Sequence, residues 1–211
     1  MEVELLAFTP EPERLIERAG RTCYDTGERA GEGTPARFIR MLIGRGHLSV
    51  LEHASATVRI RGVSRALTHQ LVRHRLASYS QRSQRYVSEK GFDYVTPPAV
   101  AADAAARKEF DDAVERARAA YERLVELGVR REDARFVLPN ATATEIVMTA
   151  NFREWRHFVR LRGEPSAQWE IRELAVAILK ALQGLAPAAF GDFHVDETHN
   201  YITTDSPEGA I

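Results

Sequence analysis

The sequence predicts one α+β domain over residues 1–211, with helices outnumbering the strands of a central mixed sheet that they flank. Three observations predict it. Apolar residues recur at helical spacing in several long segments. Two other segments carry strand signals, one by alternating apolar and polar residues and one by β-branched content. No repeat or low-complexity linker divides the chain, and 211 residues that are 44% hydrophobic and 28% charged suffice for one core of ordinary size.

Val3 to Phe8 reads as a starting strand. Thr9-Pro10-Glu11-Pro12 then opens a helix that runs to about Cys23. Asp25 to Thr34 holds three glycines and mixed charges, a loop closed by Thr34 as N-cap and Pro35 as first helical residue. Phe38, Met41 and Leu42 give the second helix its apolar face. From Ala54 to Arg61, Ala54, Ala56, Val58 and Ile60 alternate with Ser55, Thr57, Arg59 and Arg61, a strand that Gly62 ends. Ser64 caps a helix to about His74. Ala101 to Leu127 carries Phe110, Val114, Ala117, Tyr121 and Leu124 at helical spacing, and its charge-laced face suits a solvent-exposed arm or an oligomer contact equally well. Thr142 to Thr149 is strand-like, and Phe152 to Leu161 and Ala167 to Gln183 are helices. The tail from Phe190 is polar and carries no clear pattern.

With 29 basic against 30 acidic residues, the chain offers no overall positive field, which disfavours a histone-like or arm-type nucleic-acid binder. The one cysteine, Cys23, can form neither an internal disulfide nor a thiolate zinc cage, and a reducing, cytosolic setting is expected. No apolar stretch approaches the roughly 20 residues of a membrane span, and the Met1-Glu-Val-Glu-Leu start lacks the basic residues of a signal peptide.

Charge is nevertheless segregated. Between Glu52 and Glu89 lie 36 residues with no acid and seven arginines, Arg59, Arg61, Arg65, Arg73, Arg75, Arg82 and Arg85. In a chain of net charge −1, the remainder therefore carries −8. Such segregation is costly unless an anion or distant acids neutralise it, and on charge alone the two readings stand even. The inner run Arg73-His74-Arg75-Leu76-Ala77-Ser78-Tyr79-Ser80-Gln81-Arg82-Ser83-Gln84-Arg85 favours the anion, because guanidinium forks match phosphate oxygens and the interleaved Ser and Gln complete a phosphate shell or read a base edge. This polar run is expected to be a loop, with Gln70 and Arg73 on one face of the preceding helix pointing toward it. No Gly-rich phosphate cradle accompanies it, so any nucleotide is held by side chains.

The pattern Arg73-His74-Arg75-x-x-Ser78-x-x-x-x-Ser83-x-Arg85 resembles the signature of flavin-dependent thymidylate synthases. Gly46-His47-x-Ser49-x-x-Glu52-His53, Arg135-x-x-Leu138-Pro139, Asn151-x-Arg153, Leu161-Arg162 and Ala167-Gln168-Trp169-Glu170-Ile171-Arg172 agree in order and spacing, so the resemblance covers nearly the whole length. It implies an α/β homotetramer whose active sites are assembled from several subunits. It implies noncovalent FAD, reduced by NADPH, mediating transfer of the methylene of 5,10-methylenetetrahydrofolate to C5 of dUMP, which yields dTMP and tetrahydrofolate. Carried over, the flavin contacts fall on Ser49, Arg73, His74, Arg75, Gln81, Asn151, Arg153 and His157. The dUMP contacts fall on Gln70, Arg73, Gln81, Arg82, Ser83, Gln84, Arg85, Arg135 and Arg162. Arg162 takes the catalytic position, a cation that stabilises negative charge on the pyrimidine. Ser83 is read as a dUMP ligand and not a nucleophile, and His47 and His53 are expected near flavin and folate. Two positions depart from the pattern: Ser166 stands where the family often has histidine, with serine suited to cap the next helix, and Gln81 stands where some relatives carry Glu.

Other features have plainer explanations. The His69–His74 and His47–His53 separations do not place two imidazoles on one helix face, and Glu52-His53 is not a zinc-protease motif, so no metal is expected. Trp155, Phe158 and Leu161 read as core rather than a flavin-stacking face, and Trp169 as core or subunit interface. A competing class is an RNA- or single-strand-binding module on the Arg59–Arg85 strip with Tyr79 and Tyr86 as stacking platforms, which leaves the Asn151 to Arg172 match unexplained. A cysteine-dependent thymidylate synthase would need Cys23, whose neighbours Thr22 and Tyr24 offer no general base.

Overall fold

A computed structural model describes residues 1–23 and 25–206; Tyr24 lies outside the described residues. The order is β1 (Glu2–Phe8), α1 (Pro12–Thr22), α2 (Thr34–Gly44), β2 (Ser55–Ser64), α3 (Arg65–Leu71), β3 (Ala77–Gln81), α4 (Pro98–Ala101), α5 (Ala104–Glu126), α6 (Arg131–Ala134), β4 (Ala143–Asn151), α7 (Phe152–Gly163), α8 (Trp169–Leu185), α9 (Pro187–Phe190), β5 (Phe193–Asp196) and β6 (Tyr201–Thr204). Four strands form a sheet in the order β1-β2-β4-β3, and β5 and β6 form an antiparallel hairpin that pairs Phe193 with Thr204 and Asp196 with Tyr201. A mixed sheet was expected, but the pairings of β2 are antiparallel. Thr9 N–H donates to the Ser55 carbonyl while Arg61 meets Glu2, and Phe152 N–H donates to the Ala54 carbonyl while Arg65 N–H donates to that of Thr142. The alternation of buried and half-buried residues along β2 as far as Arg61 and along the whole of β4 is the reason: one covered face suits antiparallel pairing, whereas parallel strands bury both faces.

The chain divides into two compact units. The larger comprises the described residues of Val3–Arg59, Leu71–Tyr79 and Val147–Ile211, and the smaller Met1–Glu2, Ile60–Gln70 and Ser80–Ile146. In the larger, Ile16, Ile39, Leu51, Val58, Phe152, Trp155, Phe158, Leu174 and Ile178 are buried, with Trp155 Nε1 donating to the Ala56 carbonyl at 3.1 Å and Phe152 edge-on to Phe190 at 5.2 Å. Each such side chain contributes about 1.5–3 kcal/mol by leaving water. In the smaller, α5 buries Val114 and Tyr121 and holds residues 88–94 by Tyr94 Oη–Asp111 at 2.9 Å and Arg118 to the Phe92 carbonyl at 2.7 Å.

Several expected boundaries move, each because a different group supplies the cap. Gly33, at φ 75°, precedes α2, and the Thr34 hydroxyl bonds back to Gly31 instead of capping. Ser64 does cap α3, accepting from Leu67 N–H at 3.0 Å, but the helix stops at Leu71 and β2 continues through Gly62. The long helix begins at Ala104, where Asp103 accepts from Ala106 N–H, and the Gln168 side chain caps α8 in place of Ser166. Leu161 is 41% exposed and not core: six residues beyond Trp155 on a 3.6-residue turn, it lies about 120° around the helix from Trp155 and past the edge of the buried stripe at Phe158.

Helix α7 ends against β6. A Cβ added to Gly163 would come within 2.8 Å of the Ile202 Cβ, Cγ1 and Cδ1 atoms, whereas one added to Gly184, on exposed α8 surface, meets nothing. Gly163→Ala should therefore lower unfolding free energy by about 1–3 kcal/mol, the scale of overpacking, while Gly184→Ala should stabilise by up to about 1 kcal/mol. Denaturant melts of the two variants check this, and equal effects would contradict the close contact.

Candidate active site

Three pieces of the larger unit converge on one cavity. The first is the turn after α3, where His74 N–H closes onto the Leu71 carbonyl. Tyr79 fixes it from β3, its hydroxyl lying 2.8 Å from both the Leu71 and His74 carbonyls. Burial, followed by the nearby Glu154 carboxyl, pushes the Tyr79 phenol up. The expected loop is thus a strand from Ala77 to Gln81, because Ala77, Tyr79 and Gln81 alternate inward. Tyr79 is pinned and is no stacking platform. The second piece is α7, capped by Asn151, whose side chain accepts from Glu154 N–H at 2.9 Å. Its Phe152, Trp155, Phe158 and Val159 face is buried, while Arg153, Arg156, His157 and Arg160, at helical spacing, face the cavity. The third is the segment holding Gly46, Leu48 and Glu52.

The cavity has a volume of about 750 Å³, within the usual small-molecule range of about 300–1,000 Å³. Its lining is strongly cationic: Arg73, Arg75, Arg153, Arg156, Arg160 and Arg162 against Glu52 and Glu154. Two of these arginines already have acidic partners. Arg153 pairs with Glu52 at 2.5 Å, and Arg156 forks onto Asp192 at 2.5 and 2.6 Å. Among the described residues Arg73, Arg75 and Arg160 have no carboxylate within ion-pair reach. Elsewhere in the acid-free segment distant acids do neutralise charge, with Arg59 3.8 Å from Glu4, Arg61 2.5 Å from Glu2, Arg82 3.9 Å from Glu89 and Arg85 3.2 Å from Glu132. Unmet positive charge is therefore concentrated where a phosphate-bearing ligand could enter.

Arg162 lies in the last turn of α7, not beyond it. Its Nε donates to His74 Nε2 at 3.0 Å, and His74 Nδ1 lies 3.2 Å from a Glu154 carboxylate oxygen. Because guanidinium only donates, Nε2 must carry the lone pair, so Nδ1 carries the proton and donates it to Glu154. His74 is 4% exposed, and burial, then the Arg162 and His157 charges, lowers its pKa to about 4. Burial raises the Glu154 carboxyl and lowers His157, the latter helped by Arg160 and Arg162.

Of the flavin residues carried over from the motif, the cavity gathers Arg73, His74, Arg75, Asn151, Arg153 and His157, together with Arg162; Ser49, His47 and His53 are not in its lining. Gln81 and all remaining dUMP residues belong to the smaller unit, so Gln70 and Arg73 do not share a helix face; α3 ends between them. There Gln81 donates to Thr68 at 3.0 Å, Ser83 Oγ accepts from Arg85 N–H at 3.2 Å, and Arg135 Nε donates to the Glu132 carbonyl at 3.1 Å. Gln84 is buried, and burial followed by the Arg135 charge lowers Arg65. Cys23 is exposed, and among the described residues its Sγ reaches only the Ala19 carbonyl, at 3.9 Å. Glu52, Glu154 and Arg160 were not singled out from sequence for the cavity, although the spacing of Arg153, His157 and Arg160 carried a readable polar stripe.

The His74 shift makes a pH test. Between pH 6.5 and about 4 the unfolded imidazole takes a proton that the folded one refuses, so stability falls with falling pH across that window. The raised Glu154 carboxyl acts in the opposite sense, and comparison with a His74→Asn variant removes it. The stability advantage of the wild type over His74→Asn should shrink by about 2–3 kcal/mol between pH 7 and pH 4.5, as read by denaturant melts. A pH-independent difference would contradict a buried neutral imidazole.

Comparison with known proteins agrees with this geometry. Residues 4–188 match the family model described as thymidylate synthase complementing protein. The chain is 48% identical over 219 residues to a flavin-dependent thymidylate synthase of Geobacter sulfurreducens, covering 100% of this chain and 93% of that one. It is 46% identical over 198 residues to one from Mycobacterium tuberculosis, covering 86% and 79%. The fold superposes with a TM-score of 0.79 and 26% identity on thymidylate synthase X of Helicobacter pylori, solved with FAD and dUMP, over 91% of this chain and 98% of that one. The unpaired arginines around the cavity, the Arg73-His74-Arg75 turn and these relatives lead to one conclusion: the chain belongs to the flavin-dependent thymidylate synthase family.

Proposed function

We propose that this protein converts dUMP to dTMP with FAD, taking the carbon from 5,10-methylenetetrahydrofolate and reducing equivalents from NADPH. The observation that carries the reading is the set of guanidinium groups, Arg73, Arg75 and Arg160, that have no carboxylate partner among the described residues, around a cavity of about 750 Å³. Those residues fit an anionic dinucleotide, since each planar fork can take two phosphate oxygens. A bound flavin supplies the two-electron relay between NADPH and the transferred carbon. Arg73, Arg75 and Arg153 would hold it, with His74, Asn151, His157, Gln81 and Ser49 completing its contacts. Gln70, Arg82, Ser83, Gln84, Arg85 and Arg135 would hold dUMP together with Arg73 and Arg162.

Arg162 would act on the pyrimidine. Its Nε is engaged by His74, and among the described residues its Nη groups have no partner, so the fork is oriented and still has donors to offer. A fixed cation at that point lowers the cost of negative charge developing on the uracil ring. The two units would work as one domain, in a homotetramer with active sites between subunits. Leu76 and Phe136, 77% and 83% exposed, support assembly, because neighbouring subunits would remove them from water. The cytosol is the setting in which these substrates and a free Cys23 are compatible. The single-strand-binding alternative finds no support: the relatives are flavin-dependent thymidylate synthases, and Tyr79, one of its two stacking platforms, is tied to the Leu71 and His74 carbonyls.

Purified protein should be yellow, release flavin on acid denaturation, and form dTMP while liberating tritium from 5-labelled dUMP. A colourless protein that makes no dTMP when given FAD would sink the reading. Arg162→Lys should keep its oligomeric state and flavin while losing about 10²-fold or more in dTMP formation, the scale of one preorganised donor. A rate within about threefold of wild type would move the activating role elsewhere. Cys23→Ala should retain most activity, and a loss beyond about a hundredfold, near 2.7 kcal/mol, would instead indicate a thiolate mechanism.

A further inference from the structure

We propose that Glu154 is a positioning residue for this reaction: through His74 it fixes the tautomer that holds the Arg162 guanidinium in place. The proposal rests on the thymidylate synthase reading for its effect on rate, and on geometry alone for its effect on His74. Three side chains lie in series, with 3.2 Å from the Glu154 carboxylate to His74 Nδ1 and 3.0 Å from His74 Nε2 to Arg162 Nε. The two ends are chemically opposite. A carboxylate can accept and a guanidinium can only donate, so the imidazole between them has one satisfactory arrangement, proton on Nδ1 and lone pair on Nε2. With the proton on Nε2, two donors would face each other at 3.0 Å and the Arg162 side chain would lose its anchor.

The surroundings leave His74 little else to bond. It is 4% exposed and Glu154 5% exposed, and the ring packs at 5.2 Å edge-on to Phe158 and 5.6 Å from His157. Glu154 itself is placed by the first turn of α7, where Asn151 accepts its backbone N–H at 2.9 Å. Helix α7 thus carries both ends of the series, Glu154 in its first turn and Arg162 in its last, and the turn after α3 inserts the imidazole between them. That arrangement explains a second carboxylate, this one buried, in a cationic cavity: Glu52 pairs with Arg153, whereas the partner of Glu154 is the ring, and its consequence is the direction of the Arg162 fork.

The test compares Glu154→Gln with Glu154→Leu in the full-length, flavin-loaded protein. Glutamine keeps an oxygen that accepts from Nδ1–H, and leucine keeps volume but no acceptor. Nitrogen-15 NMR of histidine-labelled protein, with His74 assigned by its loss in His74→Asn, should show Nδ1 protonated and Nε2 unprotonated in the wild type and in Glu154→Gln. Glu154→Leu should move the proton wholly or partly to Nε2. Turnover to dTMP should stay within about threefold for Glu154→Gln and fall roughly tenfold to a hundredfold for Glu154→Leu, the scale of a misplaced catalytic group, with the dUMP KM changed less than about threefold. An Nε2-protonated wild type overturns the proposal whether or not any variant folds. So does Glu154→Leu that retains the Nδ1–H form and its turnover, or Glu154→Gln that loses as much as Glu154→Leu. If the wild type makes no dTMP while the tautomers behave as expected, the thymidylate synthase reading fails and the positioning of His74 by Glu154 stands.

Discussion

A guanidinium group donates in five directions and accepts in none, and it stays charged at any pH the protein meets, so each arginine requires acceptors or a bound anion. That constraint organises this molecule. The acid-free stretch between Glu52 and Glu89 places seven arginines in succession, and the fold sends them to different fates. On β2, Arg59 and Arg61 meet acids of β1; after β3, Arg82 and Arg85 meet Glu89 and Glu132. Among the described residues Arg73 and Arg75, in the turn between α3 and β3, meet no acid, and α7 brings Arg160 and Arg162 to the same cavity. An unliganded cavity of this kind repels itself, and a phosphate-bearing ligand relieves the repulsion.

Helix α7 reconciles this charge with a core. One of its faces supplies Phe152, Trp155 and Phe158 to the interior, and the other presents Arg153, Arg156, His157 and Arg160. Asn151 starts the helix, and Gly163, the one side-chain size that tolerates Ile202, ends it. The rigid helix then sets the spacing between Glu154 and Arg162, and the turn pinned by Tyr79 delivers His74 to the gap. Stability and site geometry share the same residues, so the orientation of Arg162 is inherited from core packing.

Much of this was legible in the sequence. The β2 alternation, the Ser64 cap, the Trp155–Phe158 stripe and the Arg73-His74-Arg75 motif each follow from local spacing. Local spacing fails where a tertiary partner decides. Ala77 to Gln81 is polar enough to read as loop, yet it is a strand because its backbone pairs with β4, far along the chain, while Tyr79 and Gln81 bond back to the segment just before it. Gln168 takes the cap that Ser166 seemed suited for. Glu154 was invisible as a site residue, because its significance lies in His74, 80 residues away. Leu161 read as core only because three-residue spacing was carried one step beyond the reach of the helical stripe.

The measurement that bears most directly on this reading is a crystal structure of the protein with FAD and dUMP. The flavin nucleotide's phosphates should lie within hydrogen-bond distance of Arg73 or Arg75, with an Arg162 Nη on the pyrimidine and its Nε still on His74. A flavin bound away from the Arg73-His74-Arg75 turn, or an Arg162 fork turned away from the pyrimidine, would contradict it.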